Sequence, residues 1–367
     1  MSRERRCTLT GVLFVIFACV FSTRAETPRV SSQLIAFYYG WYGNPEIDGA
    51  FEHWNHPVAD KSGKQFPGRE DIGANFYPQA GCYSCNDPRT LERQMRELKS
   101  AGVGVISSSW WGKDSPTDKL LPKLLDAAGR QGLNVNIHIE PFNGRNAITT
   151  REAIVYIMNT YGNHPAFHRG KELGGRPVFF VYDSYKTPAA EWAQVLGPDG
   201  TNTLRGTRFD AVVLGLWVKE QDGEFMKGGH FDGFYTYFAA DGFTYGSTCA
   251  NWPKLNEFAR RTGKVFVPGV GPGYVDTRIR PWNGKTTRNR EQGEYYDREF
   301  KAALDSGASV ISITSYNEWH EGTQIEPATP KQIPNFKYLD YSPLAPDYYL
   351  KRTAYWMRQL QTRSAKP

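Results

Sequence analysis

The sequence predicts an α/β fold: a single (β/α)8 TIM barrel with long βα loops on its C-terminal face. Three observations carry this expectation. Eight short runs rich in Val, Ile, Phe and Tyr recur along the chain, and amphipathic helical patterns separate them. The third is the absence of a Gly-rich phosphate loop, which disfavours the doubly wound sheet, the main alternative. The runs are nearly continuous in apolar residues rather than alternating, as parallel strands buried on both faces should be.

In chain order the runs are Leu34–Tyr39, Val103–Ser109, Val135–Ile139, Val178–Tyr182, Ala211–Leu216, Gly233–Tyr237, Val265–Val270 and Val310–Thr314. Between them, Asp87-Pro88 opens a helix over Leu91–Ser100 that Gly102 ends. Lys119–Gly129 carries Leu120, Leu121, Leu124 and Leu125 on one stripe. Thr150 opens a helix through Tyr161. Others are expected over Ala189–Leu196, Lys254–Arg261 and Glu291–Leu304, with Gly197, Gly263 and Gly307 just beyond their ends. A final helix is expected from about Pro346 to Leu360. The first loop, Gly40 to about Asp87, is far longer than a βα connection needs. Its aromatic content (Trp41, Tyr42, Trp54, Tyr77) argues for an ordered, functional loop. Residues 323–345 form a second irregular stretch.

At 367 residues the chain has length for two domains of about 150 residues or for one barrel. Residues 1–25 read as a secretory signal, leaving 26–367 as one catalytic domain. Arg3, Arg5 and Arg6 precede the apolar run Gly11–Phe21, and Thr23 and Ala25 supply small residues for cleavage. That run is shorter than the roughly 20 residues that span a bilayer, although a short signal anchor is the alternative. The expected location is the secretory route, periplasmic or extracellular in a bacterium, or the Golgi lumen with an N-terminal anchor in a eukaryote.

The formal net charge is +6, and half of it comes from Arg3, Arg5, Arg6 and Arg24 offset by Glu4. The remainder is too small to suggest a nucleic-acid partner. Aromatic residues make up 14% of the chain, a surplus that suits flat apolar platforms in a polar cleft, as sugar sites have, though large cores use it too. Cys82, Cys85 and Cys249 remain outside the signal. Cys82 and Cys85 form a lone C-x-x-C, read as a local disulfide or free thiols. His53, His56 and Asp71 do not make a defined tetrahedral set, so no metal and no cofactor are expected. The chain is expected to act as a monomer.

In such a barrel the chemistry sits where strands end. Glu318 and Glu321 follow the eighth run three residues apart, so both can face one cleft. Neighbouring carboxyls cannot ionise equally freely, which separates an acid from a base, as glycoside hydrolysis requires. A bare E-x-x-E is more often a cap or an ion pair; its place among aromatics at a strand end reverses that weighting. Glu140 after the third run is read as a pocket residue, with a structural pair to Arg145 as the alternative. His320 is read evenly as proton donor, sugar ligand or orienting group, and His138 as a core histidine. No nucleophile elbow G-x-S-x-G is present.

The motifs FYYGWYGNP (Phe37–Pro45), HWNHP (His53–Pro57), HIEP (His138–Pro141), YDSY (Tyr182–Tyr185), GPGYVDTRIRPWN (Gly271–Asn283) and SITSYNEWHEGTQIE (Ser312–Glu326) resemble glycoside hydrolase family 99. The likeness runs from about Leu34 to Leu350. It implies a retaining endo-α-1,2-mannosidase or mannanase acting on α-mannan or high-mannose oligosaccharides, without cofactor. By this resemblance Glu318 is the base that deprotonates the sugar's own 2-hydroxyl, giving a 1,2-anhydro intermediate, and Glu321 is the acid and then the base. Tyr39, Glu140, Tyr237 and His320 are expected to line the same subsite, with Trp111 in the adjoining one and Tyr274, Arg280 and Trp282 nearby. Animal members carry Tyr where Trp111 stands, so an enzyme that accepts mannose at the non-reducing side, with glucose as the alternative, is expected. A non-catalytic sugar-binding barrel and a hydrolase of another α-linked polysaccharide are the alternatives.

Overall fold

The computed structural model describes residues 30–364, so the expected signal lies outside the described residues. Eight parallel strands follow one another around a barrel. They are β1 (Ser31–Tyr38), β2 (Val103–Trp110), β3 (Asn134–Ile139), β4 (Arg176–Val181), β5 (Val212–Leu216), β6 (Gly233–Tyr235), β7 (Val265–Val267, resumed at Gly269–Val270) and β8 (Ile311–Ile313). Each is paired with the next, and β8 closes onto β1 with Ile311 opposite Leu34. The sheet changes partner inside β7. Val265 pairs with Gly233 of β6, whereas Gly269 pairs with Ser312 of β8. Pro268 stands between the halves and has no N–H to give a ladder. Its carbonyl accepts from Ser312 N at 2.9 Å, and Gly269 N turns to Thr236 Oγ1 at 2.9 Å.

The strand runs read from the sequence all fold as strands, within one to three residues at their ends. The outer helices are α1 (Pro88–Ser100), α2 (Pro116–Gln131), α3 (Ala147–Thr160), α4 (Ala189–Leu196), α5 (Asp222–Gly228), α6 (Trp252–Arg261), α7 (Glu294–Asp305) and α8 (Tyr348–Ser364). Several begin earlier than the apolar pattern suggests because their caps lie upstream. Asp87 accepts from Arg89 N before Pro88, and Ser115 accepts from Asp118 N before Pro116. The helix expected from Thr150 starts at Ala147, where Asn146 and Thr149 form a reciprocal capping box. Helix α7 starts three residues later than expected, behind a separate turn at Glu291–Gly293. Helix α5 was not foreseen. A small antiparallel pair, Gln332–Ile333 with Phe336–Lys337, also interrupts the second irregular stretch. No helix among the described residues is long and apolar enough to cross a membrane.

The barrel interior is aromatic. Phe37 of β1 lies 4.7 Å from the ring of His138 on β3, and Phe180 of β4 lies 4.9 Å from Tyr235 on β6, edge to face. These buried rings make a solid plug directly beneath the C-terminal mouth, and truncating such a ring costs about 3–5 kcal/mol. The long first loop is ordered by the same means. Tyr42 stacks on Trp54 at 4.2 Å, and Trp54 Nε1 donates to the Tyr83 carbonyl at 2.8 Å.

Candidate active site

The turn leaving β8 is pinned from three sides. Tyr39, just past β1, donates its backbone N–H to Asn317 Oδ1 at 2.8 Å, and Asn317 Nδ2 returns a bond to the Tyr39 carbonyl at 2.9 Å. Val275 N donates to the Glu321 carbonyl at 2.9 Å. Gly322 sits at φ +62°, and a Cβ there would meet Val275 Cγ1 at 2.6 Å, so only glycine lets the loops after β7 and β8 touch. Beneath the turn, the buried Glu326 carboxylate accepts from Arg93, Gln94, Tyr83 and Trp319 at 2.7–3.1 Å.

This anchoring presents both glutamates at the mouth. Glu318 is buried, accepts from the His320 backbone N–H at 3.1 Å, and has its own N–H bonded to Ser315 Oγ at 2.7 Å. Burial pushes its carboxyl up to about 8. Glu321 keeps 25% of its side-chain surface open. Burial and then the charge of Glu318 push it up to about 7, against the pull of Arg280. His320 Nε2 lies 2.8 Å from the His53 carbonyl and Nδ1 lies 3.3 Å from Glu318 Oε1. Burial holds this imidazole down at about 4, so it is neutral.

Glu140 lies just past β3, where its N–H meets the Trp110 carbonyl at 3.0 Å. Ser109 Oγ donates to its Oε1 at 2.8 Å. The alternative pair with Arg145 does not form: that guanidinium bonds the carbonyls of Tyr182 and Asp183. Tyr39 and Tyr237 are buried and joined through their hydroxyls. Burial, with Glu140 and Glu318 nearby, drives the Tyr39 hydroxyl well above its usual range. His138 is a core residue, its Nε2 2.8 Å from Tyr235 Oη, though Nδ1 comes within 3.3 Å of Glu140.

Two open lobes lie at this mouth, and Glu321 lines the smaller of them. One, of about 430 Å³, is walled by Trp41, Glu52, His53, Trp111, Pro116 and Thr117. Trp41 stacks on His53 at 4.5 Å and meets Tyr39 at 4.8 Å; Trp111 stands 40% exposed. The other lobe, of about 250 Å³, has Glu321, Tyr274, Arg280, Asn283, Thr286, Phe238 and Phe243 in its wall. The first is built from loops after β1 and β2, the second from loops after β6 and β7, and β8 lies between them in the barrel.

Of the expected site residues, Tyr39, Glu140, Tyr237, Glu318, His320 and Glu321 share one electrostatic neighbourhood, Trp111 lies in one lobe, and Tyr274 and Arg280 in the other. Trp282 lies in neither wall; it is 61% exposed on the turn Pro281–Thr286. Trp41, His53, Phe238, Phe243 and Asn283 were not foreseen. Trp41, His53 and Asn283 stand in motifs already singled out, and Phe238 and Phe243 stand in the run YTYFAADGFTYGS (Tyr235–Ser247), which carries the same resemblance. Asp71 is paired with Arg278, and no group of three His, Cys, Asp or Glu among the described residues is placed to hold a metal. Cys82, Cys85 and Cys249 are free thiols.

A parallel barrel carrying paired, partly protonated glutamates between two aromatic-walled lobes has the design of a glycoside hydrolase. The model of glycosyl hydrolase family 99 matches residues 29–362. A rat glycoprotein endo-alpha-1,2-mannosidase is 46% identical over 348 residues, covering 90% of this chain and 75% of its own. A human glycoprotein endo-alpha-1,2-mannosidase-like protein is 44% identical with 90% of this chain covered and 76% of its own. The solved GH99 endo-alpha-mannosidase of Bacteroides thetaiotaomicron superposes with a TM-score of 0.88 at 51% identity, over 92% of this chain and 99% of that one. This chain belongs to glycosyl hydrolase family 99 and is a glycoside hydrolase.

Proposed function

We propose that the enzyme is a retaining endo-α-1,2-mannosidase that cleaves internal linkages of α-mannans or high-mannose glycans. The observation that carries this is the placement of the Glu318–Glu321 pair between two open lobes. A site open on both sides accepts sugar before and after the scissile bond. The names of the related mannosidases supply the linkage and the sugar.

In the proposed first step, Glu318 takes the proton of the 2-hydroxyl, O2 bonds to C1, and the C1–O bond to the leaving sugar breaks as Glu321 gives that oxygen its proton. In the second, Glu321 takes a proton from water, the water oxygen bonds to C1, and the O2–C1 bond opens as Glu318 returns a proton to O2. Two inversions at C1 retain its configuration. Axial O2 of mannose lies trans to an axial leaving group, which makes the internal attack feasible. Burial of Glu318 and Glu321 keeps one proton available between them near neutrality.

Trp111 in the larger lobe supports acceptance of mannose, without a strong preference for glucose, at the non-reducing side, and the composition of residues 1–25 supports export. Incubation with an α-1,2-linked mannan and a high-mannose glycan tests the reading. Release of a disaccharide or longer fragment supports it, while release of single mannose units contradicts it. A strong preference for Glc-α-1,3-Man over Man-α-1,3-Man would contradict the sugar assignment.

A further inference from the structure

One guanidinium nitrogen is divided between two carboxylates. Arg280 Nη1 lies 2.9 Å from Asp276 Oδ2 and 3.4 Å from Glu321 Oε1. Asp276 is 0% exposed, and its remaining capacity is filled. Asn283 Nδ2 reaches both of its oxygens at 2.9 and 3.1 Å, and Tyr274 Oη donates to Oδ2 at 2.9 Å. The Arg280 backbone N–H also bonds the Asp276 carbonyl at 2.8 Å, so one turn builds the pair. The guanidinium is therefore held to the wall behind the cleft, where it pairs with Glu321 through a long hydrogen bond of 3.4 Å, 0.5 Å longer than its bond to Asp276 at 2.9 Å.

We propose that Asp276 is a positioning residue for catalysis: by retaining Arg280, it prevents a close Arg280–Glu321 ion pair that would strip Glu321 of the proton it must donate. The proposal rests on Glu321 being the acid. An opposite charge within about 4–6 Å lowers a carboxyl by 1–3 units. Here the arginine arrives with its charge already balanced by a buried aspartate. The charged and titratable groups around Glu321 are Glu318 and His320 on its own turn, and Tyr274, Asp276 and Arg280 after β7. Tyr39, Tyr182 and Tyr237 face it from the ends of β1, β4 and β6. Among these charges Arg280 alone is a permanent cation, so its distance sets the balance.

Removing the Asp276 charge acts twice in one direction. It deletes a negative neighbour that raises Glu321, and it frees Arg280 to close on Glu321, which lowers it. The test is kcat/KM against pH on a glycan substrate for the wild type, Asp276→Asn and Arg280→Gln. The limb that reports Glu321 is the lower one, because Glu318 holds its proton more firmly, and it should move to lower pH by about one unit in Asp276→Asn, the low end of such a charge effect. It should move to higher pH in Arg280→Gln. If Asp276→Asn does not fold, the direction in Arg280→Gln decides. Limbs that stay in place while only KM or thermal stability changes would mean a structural role and overturn the proposal. Glu321→Gln, assayed on the glycan and on a glycosyl fluoride, separates this from the underlying reading. Loss on the glycan with first-turnover fluoride release spared supports Glu321 as acid, so unmoved limbs would then defeat the Asp276 role alone. Full activity on the glycan would defeat the acid assignment itself.

Discussion

His320 places Nδ1 3.3 Å from Glu318 Oε1 while its Nε2 lies 2.8 Å from the carbonyl oxygen of His53. A carbonyl oxygen only accepts, so Nε2 carries the hydrogen, and in a neutral ring Nδ1 presents a lone pair to Glu318. Two acceptors facing each other repel, whereas a protonated Glu318 satisfies both. The tautomer thus agrees with the elevated carboxyl, and the empty enzyme keeps its more firmly held proton on Glu318.

A bell-shaped pH profile of kcat/KM follows, with limbs near 7 and 8 that belong to the pair. Below the lower limb both carboxyls are protonated and no base exists; above the upper limb both are ionised and no acid exists. Because the resting order puts the proton on the base, only a minority of molecules near the optimum carry the productive arrangement. Rate profiles over pH 4–10 check this, and an optimum at pH 4–5 would contradict it.

His320→Ala removes that lone pair and admits water beside Glu318, so Glu318 should ionise more easily. The alkaline limb, where Glu318 gives up the last proton of the pair, is expected to move to lower pH. Loss of the tether to the first loop should lower kcat roughly 10–100-fold through misplacement of the carboxyl. The same pH–rate measurement reads both effects.

Trp111→Ala should raise KM about tenfold for substrates that fill the larger lobe, the size expected when a stacking platform contributing about 1.4 kcal/mol is lost. The value of kcat should change much less. Steady-state kinetics on substrates with and without the extra non-reducing sugar distinguish this from a general loss of activity.

Glu326 is a structural counterpart to the catalytic pair. Its side chain is 1% exposed, and Glu326→Ala would leave Gln94 Nε2 and Tyr83 Oη without this acceptor, Arg93 with Glu97, and Trp319 Nε1 with the Tyr83 hydroxyl at 3.2 Å. Since Arg93 reaches solvent, the expected loss is about 3 kcal/mol, at the low end for a broken buried pair. Denaturant unfolding measures it.

Much of this site was legible because strand ends are legible. An apolar run followed by Glu318, His320 and Glu321, or by Glu140, puts carboxyls at a barrel mouth whatever the neighbouring loops do. The loop directions were not legible. Trp282 is expected near the subsite and stands exposed on a turn outside both walls, and the Phe243 wall of the smaller lobe depends on how the β6 loop folds back. Helix α5 escaped notice because seven residues containing Gly223 and Gly228 show too little periodicity. The start of α3 was misplaced because the Asn146–Thr149 cap precedes the apolar stripe it serves.

Stability should also depend on pH through a residue away from the chemistry. Burial raises Glu299 to about 8, and its Oε2 accepts from Gly271 N at 2.6 Å. A carboxyl raised on folding gives stability that is complete below its unfolded value near 4.5 and is lost as pH rises through about 8. The buried His168 and His320 and the half-buried His53 and His56 act oppositely, but only up to about pH 6.5. Between pH 6.5 and 8 the melting temperature should therefore fall, and Glu299→Gln should fall less than the wild type in thermal scans.

The internal attack can be examined by altering the substrate alone. A glycosyl fluoride whose reacting mannose carries hydrogen in place of the 2-hydroxyl has nothing for Glu318 to deprotonate and no O2 to reach C1. The enzyme should bind this compound as a competitive inhibitor and release no fluoride, while the parent fluoride turns over. Steady fluoride release from the 2-deoxy compound, or a sugar left covalently on Glu318, would contradict the account.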